Sequence, residues 1–167
     1  MIEFHHVTKT YPRTHTHAVK DVAFHIKRGE FVYVTGHSGA GKSTLLALML
    51  RRIVATEGTV TVAGHDVARM RESRLPLLRR SIGMVFQDHR LLDHLSALEN
   101  LTFTLRATAS RGNYEQKALQ ALRQVGLAHK RKAYPIELSL GEQQRVAIAR
   151  AIVTDAPLLL ADEPTGN

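Results

Sequence analysis

The sequence contains Gly36-His37-Ser38-Gly39-Ala40-Gly41-Lys42-Ser43, which fits the pattern G-x-x-x-x-G-K-S. An apolar run at 31–34 precedes this stretch and an apolar helical pattern at 44–50 follows it, so we expect a strand, a loop and a helix in that order. Glycine lets the backbone wrap closely around phosphate groups, and the first N–H groups of the helix point at them. The stretch therefore predicts a P-loop that binds a nucleoside triphosphate.

Within such a loop the lysine reaches the β- and γ-phosphates and the hydroxyl group holds Mg²⁺. These roles fall on Lys42 and Ser43. The other nucleotide-binding residues that the pattern predicts are Gly36, His37, Ser38, Gly39, Ala40, Gly41 and Thr44. The alternative, a glycine-rich turn that binds nothing, is disfavoured by the strand and the helix on either side.

The composition is that of one globular domain: 167 residues, 44% of them hydrophobic and 23% charged. No apolar run approaches the roughly 18 residues that span a bilayer, and no signal-peptide pattern opens the chain. The absence of cysteine excludes a disulfide scaffold and a cysteine-based zinc site. We therefore expect a cytoplasmic protein.

The charge balance is basic, with a formal net charge of +8 and a pI of about 10.2. Basic clusters lie at 51–52, 69–80 and 130–132. Such a surface suits nucleic acid, anionic lipid or an acidic protein, or it is simply a solvated excess of charge. No nucleic-acid-binding motif accompanies the clusters, which disfavours nucleic acid as a partner.

The hydrophobic periodicity predicts an α/β fold. Period-2 or short apolar runs predict strands at 2–7, 22–26, 31–34, 59–63, 82–86 and 158–161. Helices are expected from the P-loop to about residue 53, through much of 88–137, and at about 142–154. Ser96 with Glu99, and less strictly Asn113 with Gln116, have the spacing of helix caps.

Asp162 and Glu163 follow the apolar residues 158–161, which is the Walker B pattern. A buried strand would hold Asp162 toward Mg²⁺, directly or through water, and Glu163 could polarise the water that attacks the γ-phosphate. An apolar run before Asp-Glu is common by itself, but downstream of a P-loop it favours a catalytic role.

Between these motifs lies Leu138-Ser139-Leu140-Gly141-Glu142-Gln143-Gln144-Arg145, which resembles the signature motif of the ATP-binding-cassette (ABC) ATPases. Gln87 falls at the position of that family's Q-loop and Tyr11 at its adenine-stacking aromatic residue. The motifs occur in the family's order and spacing over essentially the whole chain. The resemblance implies a P-loop NTPase core sheet with an antiparallel β subdomain and a helical subdomain.

The resemblance predicts that residues 1–167 form one ABC ATP-binding domain with several subdomains. Residues 1–87 and 138–167 would form the β subdomain and the P-loop core, and residues 88–137 the helical subdomain. The chain stops at Asn167, directly after the Walker B motif, whereas the family continues with a D-loop and a strand that ends in a switch histidine. We therefore expect an incomplete domain that lacks its C-terminal strands, with marginal stability and little or no turnover.

The resemblance also implies roles for individual residues. Tyr11 would stack on adenine, and the backbone N–H groups from Gly39 to Thr44 would hold the phosphates of ATP. The implied catalytic residues are Glu163, as the base, together with Lys42 and Gln87. The implied ligands of Mg²⁺ are Ser43, Gln87 and Asp162. The residues implied to close over the nucleotide of a second subunit, in a head-to-tail homodimer, are Ser139, Gly141 and Glu142.

Within the family, the segments 36–41, 79–92 and 160–167 are similar to those of the bacterial cell-division ATPases. That similarity implies a peripheral protein on the cytoplasmic face of the bacterial inner membrane. Its helical part would dock on an integral membrane partner of the FtsX type, with Gln87 relaying the nucleotide state. The lipoprotein-release and macrolide-efflux ATPases share most of these motifs and are the alternative.

The signature motif departs from the family at Leu140, where glycine is usual. A branched side chain there should obstruct the approach of the backbone to the partner's γ-phosphate. We expect Leu140 to weaken nucleotide-sandwich dimers and to leave monomer binding intact.

The sequence is also compatible with two other classes of function. A scaffold would bind ATP and recruit a partner without hydrolysing the nucleotide. A soluble ABC ATPase acting on DNA or ribosomes is disfavoured, because the interval between Gln87 and the signature motif is short and helical. The pair His15 and His17 could contact a metal ion, but it has no nearby carboxylate or third ligand in the sequence and is interpreted as part of an exposed loop.

Overall fold

A computed structural model describes residues 1–12 and 16–164 of the chain. Of the residues singled out above, His15 and the stretch 165–167 lie outside the described residues. The chain divides into two compact units, Met1–Leu78 and a second that begins at Arg79.

The first unit is built on a four-stranded antiparallel sheet with the strand order β2-β1-β3-β4. Its strands are β1 (Ile2–Thr10), β2 (His17–Ile26), β3 (Glu57–Val62) and the two-residue β4 (His65–Asp66), and its helix α1 spans Lys42–Met49. A second helix, α2 (Leu75–Arg80), begins in this unit after a 3₁₀ turn at Glu72–Arg74.

The period-2 pattern of β1 produces the apolar face of this sheet. Ile2 and Phe4 are buried and the intervening Glu3 is exposed, as alternation predicts. Opposite them on β3 lie the buried Val62 and Val60. Helix α1 packs near β2 and β3 and buries apolar side chains of its own, so the P-loop that precedes α1 is anchored beside the sheet.

The predicted strand at 31–34 is wrong. Among the described residues, this segment forms no ladder with any strand, and its apolar side chains are exposed, Phe31 by 83% and Tyr33 by 80%. A strand requires hydrogen bonds to a neighbouring strand, so an apolar run with β-favouring residues does not form a strand where none pairs with it.

The second unit has a two-stranded parallel sheet of β5 (Ile82–Val85) and β6 (Leu158–Ala161). Its helices are α3 (Ala97–Ala107), α4 (Tyr114–Gln124) and α5 (Leu140–Ile152), with 3₁₀ turns at Ala128–Lys130 and Pro135–Glu137. Helix α5 packs on β5, and the three helices share one apolar core. The buried residues of that core are Ala97, Leu101, Leu105, Ala118, Ala121, Leu122, Leu127, Leu138, Val146, Ala149 and Val153.

The predicted helix caps are confirmed in this unit. Ser96 and Glu99 form a complete capping box on α3, and the side chain of Asn113 accepts from the Gln116 amide at the start of α4. The predicted burial of strand 158–161 is only partly correct, because Leu160 is buried while Leu159 is 51% exposed. Leu159 and Leu160 point to opposite faces of β6, and β6 pairs with a single strand among the described residues.

Asn100 is the most deeply buried polar side chain described in this unit, at 1% exposure. Its Oδ1 accepts from the Leu92 amide at 2.8 Å, and its Nδ2 donates to the carbonyls of Leu92, Leu95 and Ser96. One amide side chain thereby anchors the loop that precedes α3. In the part of the chain that the structure describes, every buried side-chain nitrogen or oxygen has a hydrogen-bond partner.

None of the helices within residues 1–12 and 16–164 combines the length and the apolar character that crossing a bilayer requires.

Candidate nucleotide site

The P-loop turns at positions that only glycine accommodates easily. Gly39 and Gly41 have φ values of +80° and +92°, in the region that disfavours residues with a side chain. A Cβ atom on Gly41 would lie 2.3 Å from the carbonyl oxygen of Ala18, on β2. Two independent reasons therefore favour glycine at position 41: its backbone conformation and the close approach of β2.

The side chain of Lys42 reaches back to the start of the P-loop. Its Nζ donates to the carbonyl of Gly36 at 2.9 Å and to the carbonyl of His37 at 3.1 Å. Helix α1 begins at Lys42 with no side-chain cap and no acidic residue in its first turn. The positive end of the helix dipole and the positive charge of Lys42 therefore both favour an anion bound at the start of α1.

Tyr11 follows β1 directly and is 38% exposed. The Nζ of Lys9 lies 5.6 Å from the centroid of its ring. Thr10 pairs with His17 across β1 and β2, and the next residue of β2, Ala18, is the one that approaches Gly41. The end of this strand pair is thereby placed beside the P-loop.

Gln87 and Glu163, the predicted Q-loop and Walker B residues, meet in the second unit. Because β5 and β6 are parallel and pair Val85 with Ala161, the residues after both strands leave the sheet at the same edge. The amide of Asp162 donates to the Val85 carbonyl at 3.0 Å, and the Nε2 of Gln87 donates to Oε2 of Glu163 at 2.8 Å. The structure thus joins two predicted site residues that lie 76 positions apart in the chain.

Ser139 is the N-cap of helix α5. Its Oγ accepts from the Glu142 amide at 3.3 Å, and its own amide donates to Oε2 of Glu142 at 2.8 Å, which completes a capping box. The Nζ of Lys130 lies 2.7 Å from Oε1 of Glu142. The hydrogen bond from Lys130, followed by that from the Ser139 amide, lowers the pKa of the Glu142 carboxyl to about 2. Leu140, the first residue of α5, is 75% exposed.

The sequence profile of the family described as "ABC transporter" matches residues 19–166, which is most of the chain. The chain belongs to that family. The family's characteristic activity is ATP binding and hydrolysis. The matched range contains the segments on which the resemblance was based, namely the P-loop, Gln87, the signature segment and Asp162-Glu163.

Curated relatives include proteins named "Cell division ATP-binding protein FtsE". The protein of Escherichia coli K12 is 48% identical, and the alignment covers 100% of this chain and 75% of that protein. The proteins of Streptococcus pneumoniae D39 and Bacillus subtilis 168 are each 43% identical over 100% of this chain and 73% of theirs. The chain therefore spans about three-quarters of the length of these ABC relatives.

Among solved structures, the ATP-binding cassette MJ0796 in a dimeric post-hydrolysis state with ADP and Pi is 38% identical, with a TM-score of 0.90. The alignment covers 99% of this chain and 75% of that one. A second dimeric structure of MJ0796, described as a bacterial ABC transporter cassette, is 39% identical with the same TM-score. The fold of this chain is thus that of an ABC cassette, with an antiparallel sheet and a helical part.

The predicted site residues fall in both units of the ABC chain. Tyr11 and the loop 36–44 belong to the first, and Gln87, the signature residues and the Walker B pair belong to the second. Among the described residues, no group of three or more His, Asp or Glu side chains is arranged to hold a metal ion by itself.

Two sets of contacts were not predicted from the sequence. The capping box at 139–142 could have been found, because Ser-x-x-Glu is its ordinary signal. The ion pair that Lys130 adds, and the contacts of Arg150 with the turn after β5, have no such signal, because they join segments that are distant in the chain.

Proposed function

We propose that this chain binds and hydrolyses ATP as the nucleotide-binding subunit of a cell-division membrane complex, in the manner that the name FtsE assigns to its relatives. The observation that carries the proposal is the hydrogen bond between Gln87 and Glu163 at the edge of the β5–β6 sheet. That contact joins the residue implied to sense the nucleotide with the residue implied to activate water.

ATP would be held by the P-loop. The backbone N–H groups from Gly39 to Thr44 would hold its phosphates, and Lys42 would neutralise the charge that develops on the γ-phosphate. The exposed ring of Tyr11 would stack on adenine. The positive φ of Gly39 and Gly41 and the uncapped start of α1 support this assignment.

Mg²⁺ would be held by Ser43, Gln87 and Asp162, which all offer the oxygen ligands that this ion prefers. The Gln87 amide faces Glu163 through its nitrogen, which leaves the amide oxygen for a cation. When bound, the ion would supply charge neutralisation for the phosphates.

Glu163 would be the general base. Its Oε2 accepts from Gln87 and its other carboxylate oxygen can accept a proton from water. Glu163 has a φ of +46°, an uncommon conformation for a residue with a side chain, and such conformations recur at functional sites.

A membrane partner of the FtsX type would dock on the helical part, residues 88–137. A cavity of about 290 Å³ in the second unit supports this, because its lining combines apolar rings with arginines. Its apolar and basic lining residues include Phe86, Leu92, Phe103, Arg79, Arg80, Arg90 and Arg150. The protein would then lie on the cytoplasmic face of the bacterial inner membrane.

A head-to-tail homodimer would bring Ser139, Gly141 and Glu142 of one subunit to the nucleotide of the other. The dimeric state of the MJ0796 structures supports this assembly. The exposed Leu140 side chain lies in the middle of that surface and favours a second candidate function, a scaffold that binds ATP without turnover.

Glu163→Gln separates the two functions. We expect the variant to bind ATP with the affinity of the unmodified chain and to lose turnover by roughly 100-fold or more, because a general base contributes 10²–10⁴-fold. Glu115→Gln, on the exposed first turn of α4, is the matched control and should leave turnover unchanged. Steady-state phosphate release and fluorescent-nucleotide titration are the measurements. Equal turnover in the Glu163→Gln variant and the unmodified chain would select the scaffold.

A further inference from the structure

Arg150 lies in the third turn of α5 and holds the turn that follows Gln87. Its Nη2 donates to the carbonyl of His89 at 2.6 Å, and its Nη1 donates to the carbonyl of Arg90. A guanidinium group presents its N–H groups as a fork and can serve two acceptors at once. Arg150 therefore fixes two consecutive carbonyls, and with them the direction of the backbone.

The backbone that Arg150 holds is in an uncommon conformation. His89 and Arg90 have φ values of +54° and +51°, a region that residues with a side chain rarely adopt. Two consecutive residues of this kind persist where the surrounding contacts determine them. The turn therefore depends on contacts from outside its own few residues.

Side chains in and next to the turn add contacts to those that come from outside it. The Nε of Arg90 lies 3.0 Å from Oδ1 of Asp88, and its guanidinium carbon lies 4.4 Å from the centroid of the Phe86 ring. Burial lowers the pKa of Arg150, and the nearby Asp88 partly offsets that effect. Since guanidinium stays protonated at any pH that proteins experience, both of its donated hydrogen bonds persist.

Helix α5 also holds the other strand end. Gln144, less than two turns before Arg150, donates from its Nε2 to the carbonyl of Pro164, the residue after Glu163. One helix thus contacts the segment after Gln87 through Arg150 and the segment after Glu163 through Gln144. Between these two anchors lies the 2.8 Å hydrogen bond that joins Gln87 to Glu163.

We propose that Arg150 is a positioning residue, which fixes the 88–90 turn to α5 and so sets where the Gln87 amide meets Glu163. A displacement of α5, the helix that Ser139 of the signature segment caps, would then move Gln87 as well. This proposal rests on the proposed role of Glu163 as the base, but its structural part can be measured separately.

The test compares Arg150→Gln and Arg150→Lys with Arg123→Gln, an exposed arginine in the last turn of α4, in the full chain. In Arg150→Gln, hydrogen exchange at the His89 and Arg90 amides, which are bonded within the turn, should become at least roughly tenfold faster. The kcat for ATP hydrolysis should fall roughly tenfold, while the KM stays within about twofold of the unmodified value. The reason is that misplaced catalytic groups lower the rate of the chemical step. Arg150→Lys should restore part of the protection from exchange and part of the kcat, and Arg123→Gln should change neither.

Unchanged exchange at 89–90 in Arg150→Gln would overturn the proposal. So would an equal rise in exchange along all of α5 with a matching loss of nucleotide affinity, which would mean a purely structural role. If exchange behaves as expected while Glu163→Gln leaves turnover unaffected, the proposed function fails and the positioning of the turn by Arg150 stands.

Discussion

Helices α1 and α5 both begin at residues that we propose to contact nucleotide, but the groups that cap their first turns differ. Helix α1 starts after Gly41, with no side-chain cap and no acidic residue. Helix α5 starts after Ser139, in a complete capping box, with Glu142 in its first turn and Lys130 on that carboxylate.

The first amide groups of any helix lack hydrogen-bond partners within the helix, and the two helices treat these groups differently. In α5, side chains of the same turn satisfy part of that need. In α1, the bend comes from glycine conformations, and the terminus keeps the charge character that attracts phosphate. We therefore infer that α1 is the primary phosphate site and that α5 is a secondary contact which must be brought to a nucleotide.

Gly41→Ala is the strongest test of the α1 side. The new Cβ would lie 2.3 Å from the Ala18 carbonyl, and the φ of +92° costs a residue with a side chain about 1–2 kcal/mol. We expect ATP affinity to fall roughly 100-fold, because the loop must move and each 1.4 kcal/mol is a factor of ten. Fluorescent-nucleotide titration measures the affinity.

Gly39→Ala is the matched control. Gly39 has a φ of +80°, but no atom lies within 4 Å of the position that a Cβ atom would take there. The substitution should weaken binding by a smaller factor, about tenfold or less. Equal losses in both variants would mean that the contact with β2 does not matter.

Leu140→Gly tests the α5 side. Removing an exposed branched side chain from the start of the signature helix should strengthen ATP-dependent dimers by roughly tenfold, since backbone could then approach closely. Sedimentation velocity with ATP, in a Glu163→Gln background, measures the association. Leu140→Ala separates the side chain from the added flexibility of glycine and should give a similar gain. Unchanged association in both variants would show that Leu140 does not obstruct the dimer.

Glu142→Gln should have the smallest effect, and a pH-dependent one. The pKa of Glu142 is held at about 2 in the folded chain, against an ordinary value of 4.5, so the folded state prefers the charged form. The stability that this supplies is present above about pH 4.5 and is lost as the pH falls toward 2. The Tm of Glu142→Gln should lie below that of the unmodified chain by a few °C at most at neutral pH, and the gap should close with acid.

Thermal unfolding followed by circular dichroism at several pH values measures this gap. In Lys130→Met the carboxylate keeps its bond from the Ser139 amide but loses the ion pair, so part of the pH dependence should remain. A gap that is constant from neutral pH to pH 2 would contradict the assignment.

Much of the site could be predicted from the sequence because its motifs are local. The P-loop spacing is a run of eight residues, and the cap at Ser96 needs only Glu99 three positions later. The pairing of Gln87 with Glu163 was not predictable from spacing alone, because it requires β5 and β6 to be parallel neighbours in a known register.

Other features depend on tertiary structure that no local pattern encodes. Residues 31–34 have the composition of a strand, but a ladder also requires a partner, and none of the described strands pairs with them. The contacts of Arg150 join positions about 60 residues apart, and nothing in the spacing of Arg150 distinguishes it from the exposed Arg145.

The exposed segment 31–34 has a practical consequence for anyone who concentrates this protein. It consists of four consecutive exposed apolar residues, two of them aromatic, without proline or charge, which is the composition of segments that pair between chains. Glu30 is the nearest charge that could keep such segments apart. We therefore expect this short segment to promote association between chains at high concentration, against the repulsion of a net charge of +8.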